Sequence, residues 1–180
     1  MKILKSIIVV SLFLVSLNGI SQTAKDKEIM KDAETAKTAM LKIDKGLKSF
    51  IDNSSGYVVF PNVGEGAFII GAASGNGVVS ENGVAVGMAD LKKLDIGLQA
   101  GGQALSQIIF FETNKELAKF KEDELTFSAE MSAVILETGA SKNANYNDGV
   151  VVFAMPKAGV MADLSVGGQK FSYTSFEDME

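Results

Sequence analysis

The sequence predicts an α+β fold: an N-terminal amphipathic helix packed on a Gly-rich, mostly antiparallel curved sheet or β-barrel, with one short helix inserted. Three observations predict it. Residues 23–53 contain no Pro and a single Gly, Gly46, and carry one apolar stripe at helical spacing. From Gly56 onward, runs of Val, Ile and Phe alternate with Gly and turn residues at strand spacing. Asn114 to Lys121 interrupts these runs with Leu117, Ala118 and Phe120 in a short helical pattern capped by Asn114.

The chain has 180 residues, 47% of them apolar. That is enough for one domain with a sizeable core and too little for two ordinary ones. Residues 1–22 read as a signal peptide. Lys2 and Lys5 precede an apolar run from Ile7 to Leu17, and Asn18, Gly19 and Ser21 end it. The run is shorter than the roughly 20 residues a spanning helix needs. With no Cys at the cleavage point, a lipoprotein is excluded. Residues 23–180 then form one domain, with a helix over 25–52 and the sheet or barrel over 56–175. The expected location is exported, periplasmic or secreted, and peripheral on an envelope membrane.

In the helix, Ile29, Ala33, Ala36, Met40, Ile43, Leu47 and Phe50 recur at alternating spacings of four and three. Gly46 costs about 1 kcal/mol against Ala and marks a bend. The expected strands start with Tyr57–Phe60, ended by Pro61, and Ala67–Ala72. Asn76–Gly77 and Asn82–Gly83 read as hairpin turns on either side of Val78 and Val79. Val84–Met88, the alternating stretch Leu94–Gly101 and the apolar run Ser106–Glu112 follow. Phe127, Ala129, Met131, Ala133 and Ile135 read as the inward row of one long strand. After a polar loop at Ser141–Asp148, Val150–Ala154, Val160–Val166 and Lys170–Tyr173 complete the set. Gly inside strands marks bulges and bends, the devices that curl a sheet. Residues 56–75 and 149–168 share six identities in twenty at an offset of 93, which predicts two similar neighbouring hairpins.

Composition narrows the chemistry. There is no Cys, no His and no Trp, and all 17 basic residues are Lys. Thiol and imidazole catalysis, thiolate or imidazole metal sites and bidentate Arg anion clamps are therefore excluded. No metal or other cofactor is expected. The stretch Ser141–Gly149 has neither the Gly nor the Glu of a calcium loop, and Gly71–Gly77 has no phosphate-loop Lys. Asp90, Asp95, Glu130 and Asp163 lie on or near strands, so a carboxylate-dependent envelope hydrolase stays open as a weaker alternative. Beyond residue 22, 15 Lys face 22 acids, a net of −7, which repels nucleic acid. The distribution is uneven: residues 23–52 net +1 and residues 53–180 net −8.

Four motifs resemble the SYLF lipid-binding domain family. Tyr57-Val58-Val59-Phe60-Pro61, with Gly66 and Gly71, is similar to its opening strand. Ile96-Gly97-Leu98-Gln99-Ala100-Gly101-Gly102-Gln103 is similar to its central motif. Ile108 to Phe111 before Asn114-Lys115, and Lys157 to Leu164, resemble its later strand-and-helix and Lys-Gly stretches. The resemblance spans about residues 30–175. It departs at Gly87–Asp90, where the family often has Trp-Ser-Pro. It implies an exported bacterial member that binds lipid through its N-terminal helix.

The expected function is thus that of an exported, non-enzymatic lipid- and membrane-binding protein. Its expected site is Lys37, Lys42, Lys45 and Lys48 beside Met40, Leu41, Leu47 and Phe50, facing anionic phospholipid. The other reading is a carrier of a small apolar ligand inside the barrel.

Overall fold

A computed structural model describes residues 23–65, 72–94, 104–128, 131–157 and 165–179. Two helices open the fold, α1 (Ala24–Ile43) and α2 (Leu47–Asn53). Strands β1 (Gly56–Glu65), β2 (Ala72–Glu81), β3 (Val84–Leu94) and β4 (Leu105–Phe111) follow. Then come α3 (Asn114–Lys121), β5 (Val134–Ile135), β6 (Val150–Pro156) and β7 (Gln169–Ser175). The strands form one seven-stranded sheet in the order β5-β6-β4-β1-β2-β3-β7. Every neighbouring pair is antiparallel except β5 with β6.

The sheet curls but does not close: β5 and β7 are its edges. Strands β4 and β7 are separated by three others, yet the buried amides of Gln107 and Gln169 hydrogen-bond at 2.9 Å across the concave side. The segment after α3 runs along the β7 edge through single bridges, Thr126 with Lys170 and Ser132 with Ser165. Of the expected curved sheet or β-barrel, the described strands form a curved sheet that is not closed.

Alternation assigns each strand residue to one of two cores. Val58, Phe60, Val79, Leu91, Ile109, Phe111 and Val152 point into the curl, where α3 adds Leu117 and Phe120. Aromatic rings fill this space: Phe120 and Phe127 lie 5.3 and 5.0 Å from Phe171, and Phe111 lies 5.0 Å from Phe120. Tyr57, Val59, Val78, Met88, Ile108, Phe110, Val151 and Phe153 point outward and are covered by α1 and α2 through Ala33, Ala36, Met40 and Leu47. Fully burying one such large side chain stabilises by about 1.5–3 kcal/mol.

Several expectations are corrected. The helix over 25–52 is two helices, broken at Asp44 rather than by the freedom of Gly46. Asp44 is extended (φ −132°, ψ 104°), while Gly46 has an ordinary helical φ of −66°. Pro61 does not end the first strand; it sits in a bulge, where a missing N–H is tolerated, and β1 continues to Glu65. Asn76–Gly77 is not a turn but the middle of β2. Glycine is needed at position 77 because a Cβ there would lie 2.6 Å from the Phe60 ring. Asn82–Gly83 does form the expected hairpin, with φ of 50° and 79°. The cap of α3 is Thr113, whose hydroxyl accepts the Lys115 N–H, and Asn114 is the first helical residue. Among the described residues, the expected long strand through Phe127 and Ile135 is not continuous. Phe127, Met131 and Ala133 are buried from an irregular segment, and only Val134–Ile135 is strand.

The first half of the repeat forms the β1–β2 hairpin, while the second hairpin expected of it, β6 with Val160–Val166, runs into residues outside those described. β1 and β6 do flank β4, with Gly56 and Val150 both opposite Phe111. That is an offset of 94, one more than the offset of the sequence identities. A one-residue slip exchanges the faces, so Phe60 points into the curl and its counterpart Phe153 points outward. β6 does not pair with β7, which lies on the far edge. The expected leader, Ala67–Gly71, residues 95–101 of the alternating stretch, Ala129 and Val160–Leu164 lie outside the described residues.

Candidate functional site

The expected lipid-contact set lies on α1, α2 and the corner between them. Thr23 starts α1 with a reciprocal cap: its hydroxyl accepts the Asp26 N–H at 3.2 Å, and the Asp26 carboxylate accepts the Thr23 N–H at 2.9 Å. Asp44 ends it. The carboxylate of Asp44 is buried and accepts the backbone N–H of Gly46 at 2.9 Å and of Ser141 at 2.7 Å. One side chain thus turns the chain into α2 and ties that corner to the 3-10 turn Ala140–Lys142, almost a hundred residues away. Burial pushes the Asp44 carboxyl up, but the backbone donors of Ser141, Gly46 and Gly139 outweigh it and hold the group below its ordinary value. Gly46 is small of necessity, because a Cβ there would occupy the place of the Ser141 hydroxyl.

The eight expected residues do not share one surface. Met40 and Leu47 are 0% and 1% exposed, buried against the sheet. Phe50 stacks in an aromatic group, 5.5 Å from Phe110, 5.3 Å from Phe153 and 5.6 Å from Tyr146. Leu41 is half-buried beside the same cluster.

The lysines divide as well. The Lys37 Nζ turns inward, 2.7 Å from Glu34 and 3.5 Å from the Tyr57 hydroxyl, above the Tyr57 ring. Burial alone would lower the Lys37 ammonium; Glu34 and Tyr57 raise it instead. Lys42, Lys45 and Lys48 are exposed on the outer side of the helices. Lys48 is tied to Asp52 at 2.7 Å along the helix, a surface pair worth little to stability.

Of the four carboxylates of the hydrolase alternative, Asp95, Glu130 and Asp163 lie outside the described residues. Asp90 is exposed and accepts a hydrogen bond from the Asn76 amide. The groove between α1 and the β2–β3 hairpin, lined by Met30, Ala33, Tyr57 and Ala85, holds about 240 Å³. That is below the roughly 300–1,000 Å³ of ordinary small-molecule sites. Among the described residues, no helix is long and apolar enough to cross a membrane.

Reading by sequence missed two features. The Asp44 clamp has no local signal, because its partner is distant in sequence. The polar outer row of β3 and β7 was partly visible: Met88, Asp90 and Lys92 alternate with buried Ala89 and Leu91 beyond the point where the strand was expected to stop.

Comparison with known proteins places these elements. Residues 92–178 match the family model described as Ysc84, a Las17-binding protein actin regulator. The match contains the expected motifs at 96–103 and 157–164 and leaves the opening strand outside it. Beta cell expansion factor A of Aeromonas veronii is 25% identical over 154 residues, covering 83% of this chain. The chain spans 58% of the length of that relative. Through residues 92–178, just under half of its length, the chain is similar to the Ysc84 (SYLF) family.

Proposed function

We propose that this chain is an exported, non-enzymatic binding module that meets anionic phospholipid through the exposed lysine edge of α1 and α2. The observation that carries this reading is the division of labour within the helices. Met40, Leu47 and Phe50 face the sheet and anchor the helices, while Lys42, Lys45 and Lys48 face outward. Residues 23–52 alone escape the negative charge of the rest of the chain. Contact is electrostatic and made with the helices docked, because inserting the apolar face would first strip it from the sheet. The family supports binding at the level of lipid or actin. The lysine edge favours an anionic surface. Among the described residues, the packed rings of Phe111, Phe120, Phe127 and Phe171 inside the curl speak against a carrier.

Each lysine near an anionic surface contributes about 1 kcal/mol, and the net −7 of residues 23–180 opposes it. Binding is therefore weak and salt-sensitive, since the attraction is screened beyond about 10 Å at 0.1 M salt. Sedimentation with phosphatidylglycerol vesicles tests it. The variant Lys42→Glu/Lys45→Glu/Lys48→Glu is expected to stay in the supernatant while keeping the parent circular dichroism spectrum. Unchanged co-sedimentation of that variant would refute the lysine-edge reading. Export is tested by mass spectrometry of the protein from the native envelope, with an N-terminus near Thr23 expected; an intact Met1 would defeat it.

A further inference from the structure

The covering helices occupy only the lower half of the outer sheet face. Above them, the outward positions of β2, β3 and β7 turn polar. Val78 and Met88 beneath the helices give way to Asn76, Asp90 and Ser172, and then to Ser74, Lys92 and Lys170. In this last row Lys92 and Lys170 are direct cross-strand partners. Side chains in such a pair leave the backbone with Cβ atoms about 4.5–5.5 Å apart, and like charges placed there repel. Neither lysine forms an ion pair among the described residues. Both are exposed.

This pairing is unfavourable for the isolated fold, and it stands in the part of the sequence that carries a net charge of −8. In the adjoining row Lys157 donates to the side-chain Oδ1 of Asn62, and Asp90 accepts from the Asn76 side-chain amide. Among the described residues of the two rows, three lysines thus face one carboxylate. Ser74 and Ser172 add exposed hydroxyl donors beside the pair.

We propose that the Lys92–Lys170 pair, exposed on the outer face of β3 and β7, binds the phosphate of an anionic lipid headgroup. Two ammonium groups diverging from neighbouring strands can close on one phosphate, which turns their mutual repulsion into a shared attraction. The face is open rather than a pocket, and its charge complements an anionic surface. It lies on the same side of the sheet as the lysine edge of the helices. The proposal rests on the lipid-surface reading and adds to it a second contact, on the sheet.

The full chain is tested against phosphatidylcholine vesicles with and without phosphatidic acid. Lys92→Gln/Lys170→Gln is expected to weaken binding to the acidic vesicles about 10- to 30-fold, and to raise the thermal midpoint slightly by removing the repulsion. Lys92→Glu, which converts the repelling pair into an attracting one, is expected to raise the midpoint further while also losing binding. A fall in both stability and binding would mark a merely structural role and overturn the proposal. If the double Gln variant binds as the parent does while the helix triple variant does not, the sheet contact is refuted and the helix reading stands. If the parent binds neither vesicle, the lipid reading fails. Amide NMR with inorganic phosphate then decides what is left: shifts at Lys92, Lys170 and Ser172 would reassign the site to free phosphate, and no shifts would leave no anion site at all.

Discussion

The outer face of the sheet has two halves built on the same strands. Below, Tyr57, Val59, Val78 and Phe110 point outward and are covered by α1 and α2. Above, Asn62, Ser74, Asp90, Lys92, Lys170 and Ser172 point outward and stay exposed. Backbone geometry and alternation are continuous from Met88 to Lys92 along β3, so the strand itself does not choose between the halves. The outward side chains do. Where they are apolar, removing them from water supports a docked helix. Where they are polar or cationic, the same burial would strip hydration without return. One face is therefore a core at one end and is left exposed at the other. The covered half is expected to respond to substitution in stability, and the open half in binding.

The sharpest break in this contrast is Phe110→Ala. Phe110 is 0% exposed and lies 5.5 Å from Phe50 and 6.0 Å from Phe153. Its truncation is expected to cost about 3–5 kcal/mol in denaturant unfolding. A loss below about 1 kcal/mol would mean that the helices are not part of the core.

Locking the corner between α1 and α2 to the 3-10 turn at Ser141 is expected to act in the opposite direction. The chain has no Cys, so Gly46→Cys/Ser141→Cys adds one defined pair. A Cβ at position 46 lies 3.3 Å from the Ser141 Cβ, close to the separation that disulfides adopt. The oxidised form is expected to be about 2–4 kcal/mol more stable than the reduced form. It is also expected to bind vesicles as the parent does. Binding lost on oxidation and restored by reductant would show that the helices must undock to meet lipid.

Removing the clamp is a smaller loss. Asp44→Ala leaves the N–H of Gly46 and the buried N–H of Ser141 without their acceptor, an expected cost of about 1–3 kcal/mol. Hydrogen exchange at those two amides should quicken. The pH dependence has a fixed sign. The folded-state pKa of Asp44 is lowered from 3.8, so its contribution is present above that value and is lost as pH falls through the folded value. The parent should therefore lose stability in this acid range more steeply than Asp44→Asn. Parallel curves would remove Asp44 from the account of the corner.

The smallest effect is expected on the open half. Ser172→Ala should change stability by no more than about 0.5 kcal/mol. A larger loss in the unfolding midpoint would show that the upper half is a structural surface after all.

Much of this organisation was legible in the sequence. The apolar stripe from Ile29 to Phe50 identified the helical segment, though as one helix, because helical periodicity is a local property. The Asn82–Gly83 hairpin was legible because its positive φ values demand those residues. The charge split located the lysine edge. Other features required distant partners. Gly77 looked like a turn residue, yet its smallness serves the Phe60 ring of a neighbouring strand. Phe127 and Met131 looked like a strand because alternating apolar residues are buried there, although their backbone follows no continuous ladder.

The sequence by itself determined the α+β class of the fold, the residue chemistries available and the helical and strand spacing of the apolar residues. Those follow from composition and short-range spacing. Tertiary structure alone decided that Met40, Leu47 and Phe50 are turned to the sheet while Lys42, Lys45 and Lys48 are not, and that Asp44 closes the corner. It also decided that Lys92 and Lys170, 78 positions apart in the chain, stand opposite one another. Strand register creates such pairs, and register is set by the packing of the whole sheet rather than by any local stretch of residues.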